Sequence, residues 1–190
     1  MIKRKFFLLV LLGVAPMFSG CAFIIRDSFL KDESYRVKNV QLPFAISKIL
    51  IEDKRESTST KDLKVPVMAW PGRNEMAEPV ISEEQTKLLQ SEVASYFSVR
   101  PQKVIVQLQL LKGVKKYALK WSGERESSEV EIQVNLLDPQ SRQLLFYSRG
   151  FSQMWLNSSI ATKTSSENLY QKALKVALYK AMEMISPLVQ

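Results

Sequence analysis

The chain has 190 residues, of which 46% are hydrophobic and 24% charged, and its formal net charge is +8. These proportions are typical of one globular domain and exclude a disordered or fibrous chain. There is one cysteine and no histidine, which excludes His-based catalytic triads, His/Cys zinc sites, CxxC redox motifs and disulfide scaffolds.

The first twenty residues predict an export signal. Residues 2–5 are Ile-Lys-Arg-Lys, and the uncharged run at 6–18 is shorter than the about 20 apolar residues that a membrane-spanning helix needs. The run ends at Ser19-Gly20-Cys21, which resembles the lipobox of bacterial lipoproteins, where the signal is cut before a cysteine that carries lipid. The alternative is an ordinary signal peptide with an incidental cysteine. The lipoprotein interpretation is favoured, because the chain's one cysteine stands at the end of its export-like segment.

This resemblance implies that Cys21 carries fatty acyl chains that hold the mature protein on a membrane. Two or more such chains give stable anchoring. The next residue is Ala22, whereas lipoproteins of this kind that stay at the inner membrane tend to carry Asp there. The resemblance therefore implies the outer membrane, with the domain facing the periplasm. An exported lipoprotein rarely meets nucleic acid, so nucleic acid is not expected as a partner.

Behind the cysteine, residues 21–45 predict a lipidated N-terminus and tether, and residues 46–190 a single α+β domain. The isoleucine-rich stretch Ala45–Asp53 predicts the first strand. A long connection follows at 54–81. Connections of this length are uncommon in compact domains and are often functional.

Within this connection, residues 65–70 form an apolar stretch that contains Val67, Met68 and Trp70. One interpretation is a partner-docking patch, because contiguous exposed apolar surface marks interaction and Trp and Met are typical anchors. The other is an edge strand packed on the domain's own core, which the prolines in and after the stretch would suit.

The next elements are a helix and a long strand. Ser82, with Gln85 three residues on, forms a capping box and predicts a helix that ends before Pro101. Apolar residues then alternate with polar ones from Val104, and their phase changes after Gly113. One extra residue in a strand has this effect, so a bulge or break is predicted at Lys112-Gly113.

Two more strands and a helix complete the chain. Residues 130–136 alternate strictly, Asp138-Pro139-Gln140-Ser141 predicts a type I turn, and residues 144–155 predict the last strand. Thr164-Ser165-Ser166-Glu167 is a second capping box, ahead of a helix with an apolar face. The order strand-helix-strand-strand-strand-helix predicts an α+β fold: a mostly antiparallel sheet of about four strands with two helices packed on one face.

Motifs for catalysis and cofactors are weak. Residues 150–154 lack the closing glycine of a nucleophile elbow, and no glycine-rich phosphate loop is present, so no cofactor is predicted. Four glutamates close in sequence could form the acid pair of a carboxylate-based hydrolase, and these are Glu124, Glu126, Glu129 and Glu131. The favoured interpretation is that Glu129 and Glu131 share a strand face and pair across the hairpin with Lys116 and Lys120. None of these carboxylates shows an apolar setting that would raise its pKa.

The densest basic cluster lies on the middle strands and consists of Lys112, Lys115, Lys116, Lys120 and Arg125. Such a cluster could hold the phosphates of lipopolysaccharide or of another acidic envelope polymer. The alternative, a solvated basic face, is the commoner fate of surface lysines.

The lipobox and the element order resemble two groups of small Gram-negative envelope lipoproteins. The LPS-assembly lipoproteins share this order and an arginine soon after the cysteine, here Arg26. The auxiliary lipoproteins of ABC-type lipid transport have a Trp-Ala-Glu-Pro-like entry to the first helix, and Met76-Ala77-Glu78-Pro79 stands in that place, with Met for Trp. Both resemblances imply an adaptor without catalysis of its own that works with a membrane-protein partner.

The expected function is that of a non-enzymatic, membrane-anchored lipoprotein that binds a partner protein or a lipid in envelope assembly or in lipid or LPS transport. A structural lipoprotein without a specific ligand and a carboxylate-based hydrolase are the alternatives.

Overall fold

The computed structural model describes residues 28–30, 40–59, 61–63, 71–121, 123–158 and 162–189. The strands in this part of the chain are β1 (Ser28–Leu30), β2 (Ala45–Asp53), β3 (Asn74–Ala77), β4 (Lys103–Lys120), β5 (Gly123–Leu137) and β6 (Leu144–Ser158). The helices are α1 (Glu83–Ser95) and α2 (Lys163–Ile185), and a 3₁₀ turn, Ser186–Leu188, follows α2.

The described strands form one mixed sheet in the order β1-β6-β5-β4-β2, with β3 also lying along β4. β4, β5 and β6 are antiparallel, whereas β2 runs parallel to the first half of β4 and β3 antiparallel to its second half. The α+β class with two helices is confirmed. The predicted count of about four strands omits β1 and β3. β2 can pair with β4 in parallel because the chain passes through α1 between the two strands.

A bulge divides β4 into two halves that present different residues to the helices. The register with β5 shifts between Leu110 and Lys112, one residue before the predicted break, and the strand continues for 18 residues in all. Ahead of the bulge, Val104 and Leu108 point into the core. After the bulge, the side chains of Lys115 and Tyr117 point inward.

Both helices cover the same face of the sheet. α2 packs on β5 and β6, and α1 packs against α2 and β2. The contact between α2 and β6 is close because β6 presents Gly150 there: a Cβ at this position would lie 1.9 Å from the carbonyl oxygen of Ala177. Beside it, the Ser148 hydroxyl donates to the carbonyl oxygen of Ala181 over 2.7 Å.

The capping box predicted for α1 is confirmed. The capping box of α2 lies two residues earlier than predicted. Ser82 Oγ accepts from the Gln85 amide at 3.1 Å, and Gln85 Oε1 accepts from the Ser82 amide. At α2 the reciprocal bonds join Thr162 and Ser165, not residues 164 and 167. The Glu167 carboxylate is bonded elsewhere, to Lys115 and Gln85.

Candidate functional site

Four residues singled out in the sequence lie outside the described part of the chain. They are Cys21, Val67, Met68 and Trp70. The lipidation of Cys21 and the choice between a docking patch and an edge strand at 65–70 therefore stay predictions.

The five predicted anion-binding residues do not all lie on one face of the sheet. Lys112 and Lys116 point to the face of the sheet opposite the helices, and both form ion pairs with Glu129. Arg125 lies on the same face, opposite Ala118, and its Nε donates to Asn157 Oδ1 at 3.0 Å. Lys120 is exposed at the end of β4. Binding of an anion by these four residues stays a prediction.

Lys115 lies on the helix-covered face instead and is 2% exposed. Its Nζ donates to Glu167 Oε2 at 2.6 Å and to Asp62 Oδ1 at 3.1 Å, and it lies 5.1 Å from the centroid of the Tyr170 ring. Lys115 thus joins β4, α2 and the segment at 61–63, and these contacts separate it from the basic cluster.

The charges around Lys115 stabilise one another. Burial alone would raise the pKa of Glu167, but hydrogen bonds from Lys115 and Gln85 outweigh it and lower that pKa. The pKa of Asp62 is lowered in the same way, with Lys115 and the Leu63 amide opposing the effect of burial. Both carboxylates are therefore held ionised beside the buried ammonium group.

A second buried charge, Arg55, was not foreseen from the sequence. Its side chain is 3% exposed, pairs with Asp53, and donates to the carbonyl oxygens of Gly113 at 3.0 Å and Pro79 at 2.8 Å. A Cβ at Gly113 would lie 2.4 Å from the hydroxyl oxygen of Tyr170, and burial raises the pKa of that phenol to about 12. Arg55 lies in a polar run just after β2. This run has no periodicity that would predict an inward-pointing side chain.

Glu126 contradicts the expectation that no carboxylate of the glutamate group has an apolar setting. It is 0% exposed, and burial is the largest cause of its raised pKa. Ser165 in the first turn of α2 donates its hydroxyl to Glu126 Oε1 at 2.6 Å. In residues 130–136 the apolar side chains stand at the even-numbered positions. Continuing this alternation back to residue 126 would have predicted the inward position of Glu126.

The other glutamates follow the ion-pair interpretation in part. Glu129 pairs with Lys116 as predicted, and with Lys112 in addition. Although burial opposes its ionisation, hydrogen bonds from these lysines lower the pKa of Glu129. Glu131 lies opposite Lys112 in the sheet and 3.9 Å from Arg149, so its predicted pairing with Lys120 is wrong. Lys120 lies opposite Gly123, near the end of the hairpin.

The second face of the sheet carries a network of amide side chains, and no described helix packs there. Gln107 and Gln109 each donate to Glu52. Asn135 Nδ2 donates to Gln107 Oε1 at 3.0 Å, and Gln133 Nε2 donates to Asn135 Oδ1 at 2.9 Å. Mutual hydrogen bonds therefore fix these side chains in place across β2, β4 and β5. We call this surface the open face.

Aromatic side chains border the amide network along β6. Tyr147 is 59% and Phe151 45% exposed, and Trp155 follows on the same side of the strand. The Lys112 ammonium lies 5.9 Å from the centroid of the Phe151 ring. The open face thus combines ordered polar groups with exposed aromatic rings.

A hollow of about 330 Å³ opens where β3, β4 and β5 meet. Lys116 and Arg125 of the basic cluster line it, together with the exposed Met76. The described residues contain no group of three or more metal-ligating side chains. Among the described helices, none is long and apolar enough to cross a membrane.

No protein-family model and no curated protein matches the chain. The solved structures that match the chain include protein XCC0632 of Xanthomonas campestris, a DUF330 protein, with 12% identity and a TM-score of 0.41; the match covers 81% of this chain and 91% of that one. A minor lipoprotein of Acinetobacter baumannii is 9% identical with a TM-score of 0.36, and the match covers 77% of this chain and 92% of that one.

A third similar structure is described as a neuraminyllactose-binding hemagglutinin homologue from Helicobacter pylori. It is 14% identical, its TM-score is 0.32, and the match covers 82% of this chain and 88% of that one. Identities and TM-scores this low do not assign the chain to a family.

Proposed function

We propose that the chain is a lipid-anchored lipoprotein of the outer membrane whose domain faces the periplasm and acts as an adaptor or binding component in envelope assembly or in lipid or LPS transport. The lipobox at Cys21 supports the anchor. The observation that carries the binding role is the open face, which combines exposed aromatic rings with an ordered amide network.

The composition of the open face favours recognition over simple solvation. An antiparallel sheet can expose one face to water, and its outward residues are then polar. Here β6 instead exposes Tyr147 and Phe151 on that face, and aromatic residues are enriched at protein interfaces. The amide groups beside them are already held by hydrogen bonds, so little side-chain entropy is lost when a partner binds.

We propose that the domain has no catalytic activity of its own. The sequence contains no histidine to act as a general base. Glu129 forms ion pairs with Lys112 and Lys116. Glu126 lies on the helix-covered face, where it accepts a hydrogen bond from Ser165. These partners support structural roles for both carboxylates.

Photocrosslinking in the intact envelope tests the binding role. A photoreactive phenylalanine at Tyr147 or Phe151 is expected to give the same discrete adduct from both positions, since both lie on one strand and one face. The matched control is the same probe at Lys87, which is exposed on α1. Absence of adducts from the open face, or the same adducts from Lys87, would contradict the proposal.

Co-purification of the adduct's partner with a membrane complex would separate an adaptor from a purely structural lipoprotein. A structural lipoprotein predicts no enrichment of any membrane protein over the Lys87 control.

A further inference from the structure

The hairpin between β4 and β5 ends in an exposed tryptophan. Trp121 follows the last residue of β4 and is 92% exposed. Lys120 beside it and Arg125 on β5 are exposed as well. Tryptophan is highly buried on average, and the nearly bare indole of Trp121 departs from this average.

Strand β1 begins at this same end of the sheet. Ser28 pairs with Asn157, Asn157 with Arg125, and Arg125 with Ala118, so these residues form one row across four strands. Trp121 stands three positions after Ala118, just beyond the end of β4, and three residues of strand span about 10 Å. β1 is antiparallel to β6, so the N-terminal end of β1 points to the side where the hairpin ends.

The length of chain between Cys21 and Ser28 limits how far the bilayer can be. Ser28 lies seven positions after Cys21, and a fully extended chain spans at most about 25 Å over seven residue-to-residue steps. A lipid on Cys21 therefore keeps the membrane surface close to the end of the sheet that carries Trp121.

We propose that the end of the β4–β5 hairpin is a second membrane contact, in which Trp121 enters the interfacial layer of the bilayer that holds the lipidated Cys21. Lys120 and Arg125 then face the phosphates of anionic lipids. The proposal deepens the proposed function and rests on its lipid anchor.

The chemistry of the residues fits this occupant. Tryptophan concentrates at membrane interfaces, because its ring is apolar and its indole N–H remains able to bond to water or headgroups. Lysine and arginine near an anionic leaflet are attracted to its surface. The neighbouring acid, Glu124, occupies the alternate position on β5 and so points to the other side of the sheet from Arg125.

Contact quenching by brominated phospholipids tests the proposal on the mature, full-length lipoprotein. The protein is reconstituted into phosphatidylethanolamine–phosphatidylglycerol vesicles with and without brominated acyl chains, and tryptophan fluorescence is recorded. The chain has three tryptophans, so Trp121→Phe is compared with the matched variants Trp155→Phe and Trp70→Phe. Wild type should be quenched, Trp121→Phe should lose most of the quenching, and the two matched variants should retain it.

Lys120→Gln combined with Arg125→Gln tests the electrostatic part. Quenching should fall in vesicles that contain phosphatidylglycerol and stay unchanged in vesicles of zwitterionic lipid. An equal loss in both kinds of vesicle would overturn the role of the two cations.

Labelling of Cys21 with a fatty-acid analogue separates the two possible failures. If Cys21 is labelled and the protein floats with the vesicles, but quenching survives in Trp121→Phe or is absent from wild type, the hairpin contact is overturned and the anchor stands. If Cys21 is not labelled, the anchor fails and the inferred orientation fails with it.

Discussion

Lys115 and Lys116 are consecutive lysines with opposite environments. Lys115 is 2% exposed between two carboxylates of the helix-covered side. Lys116 lies on the open face, with 41% of its side chain exposed, and pairs with Glu129. Alternation along β4 accounts for the difference, since successive side chains of a strand point to opposite faces.

Replacing Lys115 by Met should destabilise the domain by about 3 kcal/mol, near the lower end for breaking a buried ion pair, because Glu167 and Asp62 lose their partner but remain partly solvated. The adjacent variant Lys116→Met, on the open face, should cost less than about 1 kcal/mol. Urea unfolding of both variants measures the difference. Equal costs would contradict the assignment of the two lysines to opposite faces.

The cost of Lys115→Met should also depend on pH. The pKa values of Asp62 and Glu167 are lowered in the folded state, so the stability that they contribute is complete at neutral pH and is lost as the pH falls through those lowered values. Protonation removes the charges that the variant leaves unpaired. The difference in unfolding free energy between wild type and Lys115→Met should therefore shrink from pH 7 to about pH 3, and a constant difference would argue against the ion pairs as its cause.

At this scale the sequence identifies which residues are charged but not which charges are buried. The bulge was predicted from the shift of the apolar phase after Gly113, and this shift is enough to place Tyr117 inward. Lys115 and Tyr117 are two positions apart on β4 and therefore point to the same face of the sheet. The inward position of Lys115 was not recognised, because lysine is almost never buried without a partner, and its partners Asp62 and Glu167 lie far away in the chain.

Among the elements, those with a local signal could be predicted and those that depend on a distant partner could not. β2 has the predicted bounds Ala45–Asp53, and α1 begins at the predicted capping box. β3 has four residues, two of them polar, and it forms because it pairs with the second half of β4. The parallel pairing of β2 with β4 joins positions that are 57 or 58 residues apart, so no local pattern specifies it.

The packing of α2 on β6 depends on the absence of a side chain at Gly150. Gly150→Ala should destabilise the domain by about 3 kcal/mol or more, since the added Cβ would lie 1.9 Å from the backbone of Ala177, which can yield only if the helix moves. Gln153→Ala, exposed on the other side of the same strand, should change stability by less than about 0.5 kcal/mol. Thermal unfolding compares the two. A Gly150→Ala protein as stable as wild type would show that α2 lies farther from β6.

For the whole molecule, the proposed lipid anchor is the feature with the most local sequence signal. The lipobox is a contiguous signal, and its chemistry requires a thiol. Cys21→Ser should therefore abolish incorporation of a fatty-acid analogue, because a hydroxyl does not replace the sulfur that forms the thioether. Metabolic labelling of wild type and variant checks this. Unchanged labelling of the variant, or none of wild type, would contradict the anchor.

The open face, in contrast, could not be predicted as a site. Its residues come from β2, β4, β5 and β6, and each strand alone shows an ordinary alternation of polar and apolar residues. Only the register brings Gln107, Asn135 and Tyr147 into one row. The proposed binding role thus depends on tertiary structure, whereas the proposed anchor is predicted from three consecutive residues.

The arrangement of β4 also bears on the order in which the domain folds. Its pairing with β5 and the pairing of β5 with β6 are made through short turns, and α2 then packs back onto the strands that precede it. β2 joins β4 only after a chain of 57 or 58 residues has been closed into a loop, and loop closure of this length slows association. We therefore expect residues 103–185 to form the first stable intermediate, with β2 and β3 completing the sheet afterwards. In the proposed exported lipoprotein, which would enter the periplasm N-terminus first, β2 would then stay unpaired until the last helix has emerged.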